Sequence, residues 1–155
     1  MKFLSPLIVV SNMEKSKLFY YEVLGLKVVE DFGANVTLTG GIALQTKNSW
    51  STFIHKKDNE IVFGGNDAEL YFEEDNFDSF IQRINNITYI NYVHPIVEHS
   101  WGQRVIRFYD PDKHIIEVGE NMIIVVRRFL NSGLSINEVA LRMDVPVDYI
   151  SFCLK

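Results

Sequence analysis

The chain repeats itself, and the repeat limits what it can become. Residues 3–10 form a β-rich run, and Ser11-Asn12-Met13-Glu14 after it reads as a helix start, with Ser11 as cap and Glu14 closing a capping box. Apolar Met13, Phe19, Tyr20, Val23 and Leu24 recur at helical spacing up to Gly25, a natural helix end. Residues 26–32, 35–39 and 42–46 are short β-like runs, with Gly33 and Gly40-Gly41 as turns between them. The same order then returns. Residues 69–74 read as a strand, and Asp75 caps a helix with the apolar stripe Phe77, Phe80, Ile81, Ile84 and Ile87. Three more strands follow at 89–98, 103–109 and 114–119, the last after the turn Asp110-Pro111-Asp112-Lys113.

A shift of 64 residues lays Ser5 on Glu69 and Ser11-Asn12-Met13 on Asp75-Asn76-Phe77. With longer loops, residues 41–45 fall on 113–117. Two copies are too few, and each is too long, for a solenoid. The expected architecture is α+β: tandem βαβββ modules whose curved mixed sheets surround a cavity, with helices outside. The paired domain spans 1–120, with modules at about 1–48 and 66–120, and 121–155 is a C-terminal helical appendage.

Composition narrows the function classes. With 47% apolar and 13% aromatic residues, the 155-residue chain can fill one domain's core and does not read as disordered. Fifteen basic against twenty acidic residues leave a charge of −5, which argues against a nucleic-acid coat or a polybasic membrane anchor. Cys153 is the single cysteine, so no intrachain disulfide framework forms. The longest apolar run, 122–126, is far too short to span a bilayer, and the N-terminus lacks a secretory h-region. A soluble cytoplasmic protein without a membrane partner is expected.

Period-two alternation assigns faces. Glu69 shares a face with Tyr71 and Glu73, Glu117 with Ile115, Ser5 with Leu7 and Val9, and Gln45 with Ala43. If these faces line the cavity, Ser5, Gln45, Glu69 and Glu117 meet there. Glu69 and Glu117 would then repel, and a cation must offset them. Either a metal ion or a carboxylate–arginine network built on Arg104 or Arg107 would do so.

These residues carry a resemblance. The stretch Phe108-Tyr109-Asp110-Pro111-Asp112-Lys113-His114-Ile115-Ile116-Glu117 is similar to a signature ending of the vicinal oxygen chelate superfamily, which groups glyoxalase I, bleomycin-resistance proteins, fosfomycin-resistance enzymes and extradiol dioxygenases. Ser16, Phe19-Tyr20, Leu24-Gly25-Leu26 and Glu69–Phe80 support it, and Trp101-Gly102-Gln103-Arg104 resembles the bleomycin-resistance branch. The resemblance covers about residues 3–120.

The resemblance implies a divalent metal, of unknown identity, held by four strand-borne side chains and polarising two neighbouring substrate oxygens. The corresponding positions here are Ser5, Gln45, Glu69 and Glu117. Only Glu117 matches the enzymes outright. Gln45 and Glu69 carry oxygens that suit hard cations, whereas Ser5 is a poor ligand, so the set is incomplete. Lys113 also replaces the expected glycine.

Other candidates come from residue chemistry. His94 and His99 flank the sixth strand, and one of them could handle a proton at the cavity mouth; the alternative is a solvated loop histidine. His55 is expected in solvent, and His114 away from the face of Glu117. No histidine makes a metal-binding His-x-x-x-His spacing. Trp101 and Trp50 are candidates to stack on a ligand, Tyr71 and Arg107 to bind it, and Arg104 either to clamp an anionic group or to pair with Glu98. Trp50 is expected to seal the seam within the connector 47–65.

The tail reads as helix 122–131, a helix opened by the Ser135–Glu138 capping box, and a helix after Val145-Pro146. The last two resemble a helix-turn-helix, but Val147–Phe152 carries an acid and no base. Arg127, Arg128, Arg142 and Lys155 are offset by acids of the same segment. A packing or dimer-forming appendage is favoured over a DNA reader. Three function classes remain in order: a small-molecule enzyme of metal-dependent lyase or dioxygenase type, a protein that sequesters a ligand or antibiotic without chemistry, and a ligand-sensing DNA-binding regulator. Oligomeric state stays open, since modules can pair within one chain or exchange between two in a homodimer.

Overall fold

The computed structural model describes residues 1–154, and Lys155 of the basic tail set lies outside them. The described residues form two mixed four-stranded sheets and six α-helices, an α+β fold. The chain divides into two compact units, residues 1–67 with 110–114, and residues 68–109 with 115 onward.

In the first unit, β1 (Leu7–Val10), α1 (Met13–Leu24), β2 (Val28–Asp31), β3 (Asn35–Leu38) and β4 (Ala43–Thr46) follow in chain order. The sheet order is β1-β4-β3-β2, with β1 parallel to β4 and the other pairs antiparallel. The parallel pair needs the crossover that α1 supplies. Phe19, Tyr20 and Val23 of α1 are buried, as are Val10, Val36, Leu38 and Leu44 of the sheet. β1 starts later than the apolar run suggests, because Pro6 has no N–H to give and offers only its carbonyl, to Ala43 N–H.

The helix starts differ by one residue from the sequence reading. Asn12, not Ser11, caps α1 by accepting from Lys15 N–H, while the Ser11 N–H donates to Asp112 Oδ2 at 2.9 Å. Gly25 ends α1 with φ +70°, as its lack of Cβ allows. The connector is more structured than a loop: Lys47–Phe53 forms α2, followed by a 3-10 turn at Asp58–Glu60. No apolar periodicity marks α2, since its residues are mostly polar and none is fully buried. His55 is exposed, in the left-handed region.

The turn 110–114 is built on a buried aspartate. Asp110 Oδ1 accepts from the Asp112 and His114 N–H groups, and Oδ2 accepts from Tyr20 OH at 3.0 Å and meets His114 Nδ1 at 2.8 Å. Burial pushes the Tyr20 phenol well up, aided by the charge of Asp110. His114 is raised as well: burial opposes its charge, but the hydrogen bond and charge of Asp110 outweigh burial. A raised folded-state pKa stabilises the fold fully below about pH 6.5, the unfolded value, and that contribution fades as pH rises through the folded value. Urea unfolding of the wild type and of His114→Gln across pH 5.5–8.5 checks this: the difference between them should shrink as pH rises.

Lys113 holds the left-handed conformation, φ +68°, a region that favours glycine. The turn therefore carries backbone strain. Lys113→Gly should stabilise the protein by about 0.5–1 kcal/mol, read from its urea midpoint.

The second unit repeats the order with β5 (Glu69–Glu74), α3 (Phe77–Asn85), β6 (Asn91–Glu98), β7 (Arg104–Tyr109) and β8 (Ile115–Glu120). Its sheet order is β5-β8-β7-β6, again with one parallel pair, β5 and β8. Asn76, not Asp75, caps α3; the Asp75 carboxylate instead accepts from Asn121 Nδ2 at 2.8 Å. Phe77, Phe80 and Ile84 are buried, as are Ile106, Phe108, Ile116 and Val118, and the Phe80 and Phe108 rings lie 6.5 Å apart. Even-numbered residues of β7 and β8 thus face α3, and odd-numbered ones face the other side.

The tail forms α4 (Met122–Asn131), α5 (Ile136–Met143) and α6 (Val147–Cys153). Ser135 and Glu138 close the capping box of α5, and Pro146 is the N-cap of α6. Val125, Val126, Val139, Ala140, Met143, Ile150 and the free thiol of Cys153 make its own small core. No helix among the described residues is long and apolar enough to cross a membrane.

Candidate functional site

The face of the second sheet that looks away from α3 gathers most of the candidate residues. Strand register sets them abreast: Tyr71 pairs with Glu117, Glu117 with Arg107, and Arg107 with His94. Directly paired residues share a face, so the four side chains make a row across all four strands. Glu69 and Glu73 flank Tyr71 on β5.

Arg107 organises the row. Its Nε donates to Glu69 Oε2 at 2.8 Å, and its Nη2 pairs with Glu117 Oε2. Its Nη1 lies 3.3 Å from His94 Nε2, and His94 Nδ1 lies 2.6 Å from the Pro95 carbonyl oxygen. A carbonyl only accepts and a guanidinium only donates, so His94 carries its proton on Nδ1 and accepts at Nε2. Glu117 is 5% exposed, so its charge sits where an unpaired carboxylate would be costly.

The aromatic end of the face is built around Gln103. Gln103 Nε2 donates to Tyr71 OH at 2.9 Å and to the Glu120 carbonyl at 2.8 Å, and its Oε1 accepts from Trp101 Nε1 at 3.2 Å. Tyr71 OH donates to Glu73 Oε1 at 3.0 Å. Burial, with the Glu73 carboxylate, holds the Tyr71 phenol above its ordinary value. His99 stacks on Trp101 with centroids 4.2 Å apart. Burial, then the charge of Arg107, lowers the His99 imidazole. Tyr71 and Trp101 stay 48% and 36% exposed, enough surface to receive a ligand. Gln103 escaped the sequence reading, although its parity with Arg107 on one strand would have placed it on this face.

Arg104 lies elsewhere. It faces α3, with its guanidinium 5.2 Å from the Phe77 ring centre and 2.7 Å from both Asp78 and Glu120. Glu120 is 2% exposed and demands a cation more than exposed Glu98 does, and Arg104 pairs with Glu120 and Asp78 rather than with Glu98. Burial alone would raise Glu120; the hydrogen bonds from Arg104 and the charges of Arg104 and Arg128 outweigh it and hold the carboxyl low. Glu98 pairs instead with Arg142 of α5, at 3.7 Å.

The tail grips the loop that carries Trp101. Arg142 donates to the Ser100 carbonyl and Arg128 to the Gly102 carbonyl. Gly102 has φ +89°, and a Cβ there would stand 2.3 Å from the Phe129 ring of α4. Arg128 and Arg142, two of the tail's bases, are thus engaged within the chain.

The donors that the resemblance implies do not fit a divalent ion. Gln45, in the first unit, accepts from Asn35 Nδ2 at 2.8 Å with its oxygen and donates to Ser49 Oγ. Glu69 and Glu117, in the second, share Arg107. Ser5 precedes β1 and is not part of it. No group of three or more His, Cys, Asp or Glu among the described residues is placed to hold a metal.

A family model described as a glyoxalase-like domain matches residues 3–123. Among solved structures, a protein of unknown function from Agrobacterium tumefaciens str. C58 is 38% identical with a TM-score of 0.69, covering 78% of this chain and 94% of its own. A glyoxalase/bleomycin resistance protein/dioxygenase from Nocardioides is 17% identical with a TM-score of 0.64, covering 77% of this chain and 83% of its own. Lactoylglutathione lyase from Agrobacterium tumefaciens is 20% identical with a TM-score of 0.60, covering 79% and 95%. The last two likenesses are of fold alone. A search of curated proteins returned no match.

Proposed function

The chain belongs to the glyoxalase-like domain family, within the vicinal oxygen chelate superfamily, and on that premise we propose that it binds a small molecule on the Arg107 face without a divalent metal. One observation carries this reading: a guanidinium already pairs with both Glu69 and Glu117, the two carboxylates that would otherwise bind the ion. The family's metal would act as a Lewis acid on paired oxygens; here Arg107 bridges the two carboxylates and donates to His94 instead. This favours the ligand-sequestering class over a lyase or dioxygenase.

The face also suggests the ligand. Glu69, Glu73 and Glu117 stand against the single charge of Arg107, so the cluster keeps net negative charge and suits a cation. Exposed Tyr71 and the His99–Trp101 stack offer flat surface for a ring. A planar organic cation combines both features. Proflavine serves as the probe: it should quench Trp101 fluorescence saturably, and Trp101→Ala or Tyr71→Ala should weaken binding at least tenfold. Non-saturable quenching, or binding by either variant as tight as that of the wild type, would count against the proposal.

A further inference from the structure

The first unit holds a hollow of its own, and nothing in the Arg107 face accounts for it. It measures about 370 Å³ and lies beside β1, where Leu7, Val9, Trp50, Ile61 and Phe63 line it together with His114. Its walls set apolar side chains beside a comparable share of polar surface, and its size suits a compact ligand. Much of the wall comes from the connector 47–65, since α2 supplies Trp50 and the segment after the 3-10 turn supplies Ile61 and Phe63.

His114 is the polar group that can still bond. Its Nδ1 is held 2.8 Å from Asp110 Oδ2, and the Asp110 side chain is fully buried. Asp110 cannot turn away, because Tyr20 OH and two backbone N–H groups also bind it. Phe63 meets the imidazole edge to face, with centroids 6.0 Å apart. The ring is therefore fixed on both sides, and its Nε2 has no partner among the described residues. The same aspartate keeps the imidazole protonated further into the neutral range, so Nε2 is a donor suited to an anion. The other ionisable wall residue, Glu60, is engaged: Oε1 lies 3.3 Å from Lys56 Nζ, and Oε2 accepts from Lys57 N–H at 2.8 Å.

We propose that this hollow binds a single-ring aromatic acid, its carboxylate hydrogen-bonded by His114 Nε2 and its ring packed among Trp50, Phe63 and the aliphatic side chains of β1. The aspartate–histidine pair acts as a fixed donor, and the apolar walls select the ring. The site stands apart from the Arg107 face in residues and in ligand charge, so either can fail without the other.

NMR titration of the full chain with sodium benzoate tests it, with benzyl alcohol as the uncharged analogue. Benzoate should shift the Trp50 indole N–H and the His114 ring signals saturably, with a dissociation constant on the order of 1 mM. Benzyl alcohol should bind at least tenfold more weakly. His114→Gln and Trp50→Leu should each raise the constant for benzoate at least tenfold. Trp50 lies on a helix with no fully buried residue, so its variant reads the site even if His114→Gln disturbs the turn. Absence of saturable shifts at Trp50, shifts confined to Trp101, benzyl alcohol binding as tightly as benzoate, or Trp50→Leu binding like the wild type would each overturn the proposal.

Discussion

Arg107→Met should destabilise the protein by about 3–5 kcal/mol at neutral pH, the usual loss when one partner of a buried ion pair is removed. The variant keeps a side chain of similar length, so packing changes little and charge changes most. Glu117, 5% exposed, is left without its cation beside Glu69. The penalty belongs to the ionised carboxylate. It should therefore fade as pH falls toward the carboxylate range, because the stranded group can then take a proton. Chemical denaturation of the wild type and variant at pH 7.5 and pH 4.5 reads both effects. A loss below about 1 kcal/mol at pH 7.5, or one that grows in acid, would show that Arg107 does not hold the row together.

The second large effect concerns the joint between tail and loop. Gly102→Ala should cost about 3 kcal/mol or more, since its new Cβ overlaps the Phe129 ring and its φ of +89° already disfavours any side chain. Gly133→Ala is the control: φ is +98° there too, but nothing lies within 4 Å. It should cost only about 1 kcal/mol. Urea midpoints separate the two, and near-ultraviolet dichroism should report a changed Trp101 only for Gly102→Ala. Equal losses would mean that α4 is not seated on the loop. Because that loop carries Trp101, loosening the seat should also weaken proflavine binding.

The residues show which parts of this account a sequence can carry. Helix and strand positions were legible because burial imposes a period: Phe77, Phe80 and Ile84 return every turn of α3, and Val105, Arg107 and Tyr109 alternate against Ile106 and Phe108 on β7. The capping box at Ser135 and Glu138 is local chemistry and was legible for the same reason. Parity also put Glu69, Tyr71 and Glu117 on common faces. What parity cannot supply is register across strands, which decides that Arg107 stands opposite Glu117 and that Tyr71 does too. Nor can it choose among partners. Arg104 is adjacent to Glu98 across the ladder, yet turns to Glu120 because that carboxylate is buried. Helix α2 was missed because polar residues without an apolar stripe leave no periodic trace. Asp110 and His114 lie four apart in a turn, and their pairing depends on the buried Tyr20, ninety residues away in sequence from Asp110.

Arg107 pairs with the two carboxylates, Glu69 and Glu117, that would have to be free to hold a divalent ion. Calorimetric titration of chelator-treated protein with manganese, nickel and zinc salts tests it most directly, with Glu117→Gln alongside. The account predicts no stoichiometric binding that depends on Glu117. One ion per chain, bound by the wild type and lost in Glu117→Gln, would contradict it.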